Sequence, residues 1–226
     1  MGASGIGIGV DALLQLGSAI KVMTIRAKSA AAAPRPLDGR RARSATSRRR
    51  IVAAMLTLIE AGDPMPSAAR VAEEAGVGLR TVFRHFDDMD SLYSEISATI
   101  AERVMPIVTA PYDEADWREN LRDLTQRRIR VFETMLPFRL AANIKRYQSP
   151  FLMAEYSRVV RLERDLVLRL LPDSVQTDRI RVEALIAALS FQTWRALRRD
   201  QALTREDAGS VLTHMVAALI AAKPRF

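Results

Sequence analysis

The segment SAARVAEEAGVGLRTVFRHF, Ser67 to Phe86, decides the fold of this chain. On both sides of its AGVG centre the apolar residues recur at three- and four-residue spacing, which is typical of two short helices. Gly76 has the backbone freedom that a tight turn between them requires. Val71, Val77 and Val82 can form a small shared core. The segment therefore predicts a helix-turn-helix unit.

One helix is predicted before this unit and one directly after it. The first runs roughly from Arg48 to Ala61 and ends where Gly62 is followed by prolines. The hydroxyl of Ser67 can cap the next helix, and Asp88 or Asp90 can cap the fourth, which ends before Pro106. The expected core residues of the four helices are Ile51, Ala54, Met55, Leu58 and Ile59; Val71, Ala72 and Ala75; Val82, Phe83 and Phe86; and Leu92, Tyr93, Ile96 and Ile100.

The rest of the chain reads as five more helices, and strand-like alternation does not persist anywhere in the sequence. Their expected ranges are 113–135, 138–147, 150–171, 178–199 and 204–222, with Pro137, Pro150 and Pro172 as boundaries. The predicted fold class is all-α, with a small N-terminal unit that contains the helix-turn-helix and a larger C-terminal helical domain. The predicted domains are a flexible basic extension (1–46, with a linker or arm at 29–47), the head (47–92) and the body (93–226).

The net charge of +8 is concentrated in the first third of the chain. Residues 41–86 contain eight arginines against four carboxylates, and residues 1–40 contain five basic residues against two acidic ones. The remaining 140 residues contribute only +1. Such a distribution suits a polyanionic partner, although a solvated basic surface would look the same.

Several classes of site and location are disfavoured by the composition. The chain has no cysteine and only two histidines, which excludes disulfides, thiolate metal sites and multi-histidine metal sites. Neither a nucleophile–base arrangement nor a glycine-rich phosphate loop is visible, so we expect no catalytic residues and no cofactor. The stretch 1–25 lacks the basic start of a signal peptide, and no apolar run is long enough for a membrane span. We expect a cytoplasmic protein, with 1–25 as a dispensable tail upstream of a later start such as Met23.

Residues 47–92 resemble the DNA-binding head of TetR-family bacterial repressors. The resemblance is carried by the apolar first helix ending near Gly62, by Ser67, Val71-Ala72, Ala75-Gly76-Val77, Thr81 and Leu92, and by the run Phe83-Arg84-His85-Phe86. It implies a three-helix head, a variable helical body that binds a ligand, and a dimer built mainly by the last two long helices. Family members usually repress, and an inducer bound in the body releases them from DNA.

Four positions depart from the family pattern. Gly78 replaces the usual Ser at the start of the recognition helix, and Phe83 stands where Tyr is commonest. Met89 replaces a frequent Lys, and Arg70 stands where an acidic residue is common. The changes at 78 and 89 bear on affinity for DNA rather than on the fold, and Arg70, Arg80 and the run 48–50 could restore backbone contacts.

Ten residues of the head are expected at the DNA interface: Arg48, Ser67, Arg70, Gly78, Leu79, Arg80, Thr81, Phe83, Arg84 and His85. Arg80 suits either a guanine edge or a phosphate, while Thr81 and Ser67 suit phosphates or caps. Phe83 has packing as its alternative role, and His85 suits a backbone contact or solvent exposure. The arginines at 41, 43 and 48–50 are either a solvated face or an arm that enters the minor groove.

In the body, large side chains at helical spacing either pack the core or line an apolar ligand cavity. The candidates are Trp117, Phe132, Met135, Phe138, Arg139, Tyr147, Phe151, Tyr156, Phe191 and Trp194, with Arg139 and Arg161 able to orient an anionic or polar ligand. The stripes Ile180, Ala184, Ala187, Ala188, Phe191 and Val211, Leu212, Met215, Val216, Leu219 favour a homodimer through the last two helices. Those stripes could instead close the monomer core.

The function most consistent with these features is that of a sequence-specific transcriptional regulator. We expect a homodimeric repressor that binds a double-stranded operator and is released by a small molecule of unknown identity, without a membrane partner. The alternative is a helical ligand-binding or interaction protein whose head no longer reads DNA, which the residues at 78, 83 and 89 favour. An enzyme is the least supported class.

Overall fold

The computed structural model describes residues 38–112 and 116–222, and over these ranges every regular element is helical. The predicted all-α class is thereby confirmed. The α-helices are α1 (Asp38–Glu60), α2 (Ala68–Glu74), α3 (Leu79–His85), α4 (Met89–Val108), α5 (Trp117–Lys145), α6 (Pro150–Leu170), α7 (Asp173–Gln176), α8 (Arg179–Ala188), α9 (Phe191–Arg195) and α10 (Arg205–Ala221). A 3₁₀ turn covers Arg146–Gln148 and a π-helical turn covers Ala196–Asp200.

The helices group into two compact units. The first contains the described residues up to Met105 together with Pro137–Leu152, and the second contains Pro106–Leu136 together with the described residues after Leu152. Helices α4, α5 and α6 each contribute residues to both units.

The first unit is built around the contacts that α1, α2 and α3 make with one another. Every residue that we expected in the core of α1 and α2 is buried, as are Val82, Phe86 and the four core residues predicted on α4. Phe83 is the exception, because half of its side chain is exposed. Removing these side chains from water supplies roughly 1.5–3 kcal/mol for each large apolar residue, and this burial holds three short helices together.

A reciprocal cap begins α4. The carboxylate of Asp88 accepts a hydrogen bond from the Ser91 N–H at 2.8 Å, and the Asp88 N–H donates to the Ser91 hydroxyl at 3.3 Å. These bonds lower the pKa of Asp88, with the Ser91 backbone N–H as the largest cause. The choice between Asp88 and Asp90 is settled in favour of Asp88. The Asp90 carboxylate instead accepts a hydrogen bond from Ser149 Oγ at 2.7 Å, within the same unit.

The second unit has its own apolar core, drawn from α5, α6, α7, α8 and α10. Leu121, Val167, Leu185 and Leu189 are fully buried at its centre. Arg181 is also buried, and it donates to the main-chain oxygens of Leu219 and Ile220 in the last turn of α10. A guanidinium thus provides the donors that the end of a helix lacks.

The first helix begins earlier than we predicted. Residues 38–46 were expected to belong to a flexible extension, yet α1 starts at Asp38. Alanine and arginine are strong helix formers, and the helix beginning at Asp38 extends without interruption into the buried residues after Ile51. Residues 1–37 lie outside the described part of the chain, so the predicted tail has no structural account.

Two prolines were wrongly predicted to end helices. Pro106 lies inside α4, and Pro137 lies inside α5, which runs on to Lys145. A proline within a helix removes one backbone hydrogen bond. Around Pro137 the side chains of Leu136, Phe138 and Ala141 are all buried, and this packing holds the helix on both sides of the missing bond.

The long helix predicted over 178–199 is divided instead. After α8, Ser190 takes an extended conformation, and its hydroxyl accepts a hydrogen bond from the Thr193 N–H at 3.3 Å, which starts α9. Serine favours such a cap over the interior of a helix because its side chain competes for backbone donors. The predicted boundaries at Pro150 and Pro172 are confirmed, since α6 begins at Pro150 and Pro172 caps α7.

Candidate nucleic-acid interface

Helix α3 has one buried and one exposed face. Val82 and Phe86 point into the core of the first unit, with 1% and 2% of their surface exposed. Arg80 and Arg84 lie on the outer side and are exposed, and Thr81 is partly exposed beside them. Neither arginine forms an ion pair with any residue in the described ranges. Two open guanidiniums one helical turn apart can each bind a phosphate or the edge of a guanine.

The turn before α3 depends on Gly76. Its φ of +59° lies in the left-handed region, and its carbonyl accepts a hydrogen bond from Arg50 Nη2 at 3.3 Å. A Cβ atom at this position would come within 2.7 Å of that nitrogen, which the flexible Arg50 side chain can move aside, so the positive φ is the main reason for glycine here. Arg50 therefore connects α1 to the turn, a role that the sequence did not reveal.

The two helices of the motif are capped differently. Ser67 Oγ accepts a hydrogen bond from the Arg70 N–H at 3.2 Å, as predicted for the start of α2. Gly78 occupies the same position for α3 and provides no side-chain acceptor. The start of α3 is therefore held by backbone geometry and by packing of its buried face.

Arg48, one of the residues predicted to contact DNA, has several hydrogen-bond partners within the first unit. Its Nε donates to Glu95 Oε2 at 2.9 Å, and its Nη1 donates to the main-chain oxygen of His85 at 2.6 Å. Its Nη2 also bonds to Glu95, and the guanidinium lies 4.3 Å from the centre of the Phe86 ring. With all three nitrogens engaged inside the unit, Arg48 connects α1, the end of α3 and α4.

His85 is partly buried at the end of α3. Its Nε2 is buried and has no hydrogen-bond partner among the described residues. Burial lowers the pKa of His85 below its ordinary value of 6.5, and the nearby charges of Arg84 and Arg48 lower it further. The imidazole is therefore neutral at neutral pH, and the net charge of α3 comes from its two arginines.

The remaining predicted contacts differ in availability. Ser67 is exposed but serves as a cap, and Arg70 is exposed and pairs with Glu73 at 3.2 Å. Arg41 and Arg43 are exposed on α1, so in this structure they belong to a helix and not to a flexible arm. Of the ten residues predicted at the DNA interface, four are exposed together on α3: Leu79, Arg80, Phe83 and Arg84.

The ten predicted ligand-binding residues are divided between the units. Phe138, Arg139, Tyr147 and Phe151 lie in the first unit, and the other six lie in the second. Phe132, Phe138, Phe191 and Trp194 are buried, and the rings of Phe132 and Phe191 pack edge to face at 5.7 Å. Tyr147 is 75% exposed, which is not the placement of a cavity-lining residue. Trp117, Met135, Arg139, Phe151 and Tyr156 are half-buried.

Glu133 forms hydrogen bonds with the buried Trp194 and with Arg198, and the sequence did not indicate these contacts. Its carboxylate accepts hydrogen bonds from Trp194 Nε1 at 3.1 Å and from Arg198 at 2.7 and 3.0 Å. Burial alone would raise the pKa of Glu133, but the hydrogen bonds and charge of Arg198, with the indole N–H, lower it overall. These contacts fix Trp194 in the core.

The second unit also has a groove of about 410 Å³ beside α5 and α10. Charged and polar side chains supply most of its lining: Glu119, Arg122, Asp123, Thr125, Gln126, Thr213, Val216 and Ala217. None of the ten predicted ligand-binding residues lines it. Within the described residues no three potential metal ligands cluster, and no helix has the length and apolarity that crossing a bilayer requires.

The stripes predicted on the last two helices do not form single faces. Ala188, Phe191, Leu212 and Val216 are buried within the second unit. Ile180 is 66% exposed and Val211 is 37% exposed, and the side chains of Ala187, Ala217 and Ala218 are exposed as well. The predicted residues therefore divide between closing the monomer core and facing outward.

No protein-family model and no curated protein sequence matches the chain. Solved structures do resemble it. One is a transcriptional regulator from Rhodococcus sp. Rha1, with a TM-score of 0.59 and 19% identity, covering 77% of this chain and 96% of its own. Another, a putative TetR-family transcriptional regulator from Mesorhizobium loti MAFF303099, has a TM-score of 0.52 and 18% identity, covering 79% and 97%.

A third similar structure is the multidrug binding protein EbrR in complex with imidazole. Its TM-score is 0.51 and its identity is 23%, and the match covers 74% of this chain and 88% of that one. At such identities the likeness concerns the fold. The resemblance predicted from residues 47–92 is confirmed at that level, and the fold of this chain is that of the TetR-type transcriptional regulators.

Proposed function

We propose that the chain is a sequence-specific DNA-binding transcriptional regulator that acts as a homodimeric repressor and is released from its operator by a small molecule. The observation that carries the proposal is the outer face of α3. Val82 and Phe86 anchor the helix in the core, while Arg80 and Arg84 stay exposed and unpaired within the described chain. This is the arrangement that a helix inserted in the major groove needs.

The dimer is proposed to form through α8 and α10. Exposed Ile180 and Val211 and the small exposed alanines of these helices support close approach of a second copy. A twofold pair of heads would then meet two half-sites about one turn of DNA apart, or a multiple of it. If so, Ile180→Glu should shift the protein from dimer to monomer in analytical ultracentrifugation, whereas Val160→Glu, on exposed Val160 of α6, should not. Equal masses for both variants would contradict this interface.

Response to a small molecule is proposed by analogy of fold. One structural neighbour is described as a multidrug binding protein in complex with imidazole. In this chain the half-buried residues Trp117, Met135 and Tyr156 are the predicted ligand contacts of the second unit that packing has not fully enclosed. We place the protein in the cytoplasm with its DNA, and we expect it to have no catalytic activity.

The alternative is a ligand-binding or interaction protein whose head no longer reads DNA. The absence of a side-chain cap at Gly78 favours it, because the recognition helix loses a few tenths of a kcal/mol at its N-terminus relative to a serine cap. The two functions differ in one measurable property, which is whether the full chain selects particular duplexes from a random pool.

The deciding experiment starts with selection of duplexes from a randomised pool by the full-length protein. A regulator should enrich a twofold-symmetric motif, and its affinity should fall about 10³-fold or more between 50 and 200 mM salt if the dimer makes six or more phosphate contacts. The double variant Arg80→Ala, Arg84→Ala should lose this binding. A matched control is Arg122→Ala, Arg118→Ala, which removes two exposed arginines from α5. Recovery of no motif, with weak binding equal for all duplexes, would favour the alternative.

A further inference from the structure

The outer surface of α3 consists of two parallel stripes of different chemistry. Leu79 and Phe83 are 45% and 50% exposed, and Arg80 and Arg84 are exposed beside them. Residues four apart lie on the same side of a helix, and each residue is rotated by about 100° from the one before. The apolar pair therefore forms one stripe next to the buried face. The basic pair forms a second stripe, further round the helix on the side opposite the buried face.

The apolar stripe takes no part in the core of the unit. That role is filled by Val82 and Phe86, which are nearly inaccessible. Single exposed apolar residues are ordinary on protein surfaces. This pair, however, lies on the stripe of α3 adjacent to two guanidiniums that form no ion pair within the described chain. A duplex that contacts both arginines would also lie against Leu79 and Phe83, whereas a small anion would not.

The chemistry of these two side chains restricts their partner on DNA. Neither can donate or accept a hydrogen bond, so neither can hold a phosphate through a polar group. In the major groove, the thymine methyl is the group at a base-pair edge that offers an apolar contact. We propose that Leu79 and Phe83 read thymine methyl groups in the operator, and that they set its sequence together with Arg80. This inference rests on the proposed function.

The spacing of the stripe predicts where the thymines lie. Leu79 and Phe83 are separated by about 6 Å along the helix axis, at 1.5 Å per residue. Base pairs rise by about 3.4 Å along the duplex axis, so the two side chains span at most about two base-pair steps, whatever the angle between helix and duplex. Each half-site should therefore contain thymines within about two steps of each other, adjacent to the position read by Arg80.

The test uses the duplexes recovered by selection from the randomised pool. Each thymine of the motif is replaced in turn by deoxyuridine, which removes the methyl group and preserves base pairing. We expect about fourfold weaker binding by the native chain at one or two thymines per half-site, the effect of burying one methyl group. The double variant Leu79→Ala, Phe83→Ala should bind thymine and uracil duplexes equally.

Two further variants make the result specific. Phe83→Tyr retains the ring and should retain the preference for thymine over uracil. Ile144→Ala removes an exposed apolar side chain of the same unit outside the helix-turn-helix, and it should leave the preference unchanged. Thermal unfolding of each variant checks that the head remains folded.

The outcomes separate this inference from the function on which it rests. If a motif is selected but no uracil substitution weakens binding, the methyl-reading proposal is wrong and the regulator proposal stands. A uracil effect that persists in the Leu79→Ala, Phe83→Ala variant also overturns it, because other residues then read the methyl group. If no motif is selected, the proposed function fails and this inference fails with it.

Discussion

Two pairs of arginines, one pair in each unit, serve opposite purposes. On α3, Arg80 and Arg84 are exposed and make no ion pair within the described chain. In the second unit, Arg128 and Arg181 are buried and donate to main-chain oxygens, Arg128 to Leu189 and Glu163, and Arg181 to the end of α10. One residue type thus provides an open cationic surface at the first pair of positions and internal hydrogen bonds at the second pair.

This contrast shows why charge alone is a weak guide to a nucleic-acid interface. A buried guanidinium loses its hydration and is stable only where fixed acceptors replace water. Its donors are then committed, and it contributes nothing at the surface. An exposed guanidinium without a partner remains available for phosphates. The partners of each arginine, rather than the count of arginines, distinguish the two roles.

The largest expected effect comes from breaking a buried contact in the body. Arg128→Met should lower the free energy of unfolding by about 3 kcal/mol, because the carbonyls of Leu189 and Glu163 would lose a charged donor. Urea unfolding measures this change. Arg122→Met is the matched control, since the Arg122–Glu119 pair is about half exposed and should change stability by no more than about 0.5 kcal/mol. Equal losses in both variants would refute the contrast between buried and open arginines.

The next effect should appear in binding and not in stability. Arg80→Ala should weaken binding to the selected duplex by roughly 1–3 kcal/mol if Arg80 makes a bidentate base contact, and should leave the unfolding free energy nearly unchanged. Fluorescence anisotropy with the selected duplex and with a random duplex measures both affinity and specificity. An unchanged ratio between the two duplexes would remove Arg80 from base reading.

An intermediate case is Arg48, a head arginine with internal partners. Arg48→Lys retains the charge but cannot reproduce the fork that reaches Glu95 and the His85 carbonyl together. We expect a loss of about 1 kcal/mol of stability, a modest figure because the pair is roughly two-fifths exposed. Arg49→Lys, at an exposed position, is the control. If Arg48→Lys keeps full stability and only DNA affinity falls, Arg48 is a phosphate contact after all.

The smallest effect concerns pH. The folded chain lowers the pKa of His85 through burial and the charges of Arg84 and Arg48, so protonation favours the unfolded state. The resulting stability is fully present above the unfolded value of 6.5 and is lost as pH falls through the lower folded pKa. Between pH 7.5 and pH 5.5 the melting temperature should fall slightly less for His85→Gln than for the native chain. An identical drop in both would mean that His85 does not contribute.

Much of the head could be predicted from sequence because its signals are local. The spacing of Ile51, Met55 and Ile59 indicated the buried face of α1, and Ser67 indicated the cap of α2. Gly76 indicated a turn, and its positive φ agrees. Val82 and Phe86 were assigned to the core, and Arg80 and Arg84 to the outer face. Each of these inferences depends on residues within a few positions of one another.

The contacts that the sequence missed are long-range. Arg48 and Glu95 are 47 positions apart, and Glu133 and Arg198 are 65 positions apart. No periodicity connects such pairs, because the fold alone brings them together. Pro137 failed as a boundary for a related reason, since burial on both sides outweighed the local preference of proline. The exposure of Phe83 depended on how far α3 is rotated against α1 and α2.

The glycine at the centre of the turn has a consequence for genetic screens. At Gly76 every replacement meets a left-handed backbone and the Arg50 guanidinium, whereas at Gly62 the φ of +99° is the only obstacle, since the added carbon meets nothing within 4 Å. The guanidinium can move aside, and the φ of +59° lies in the left-handed region that asparagine also adopts, whereas the φ of +99° lies outside it. If the chain is a repressor as proposed, selection for a derepressed reporter after random mutagenesis should recover substitutions at both codons, with asparagine rare at codon 76 and present at codon 62.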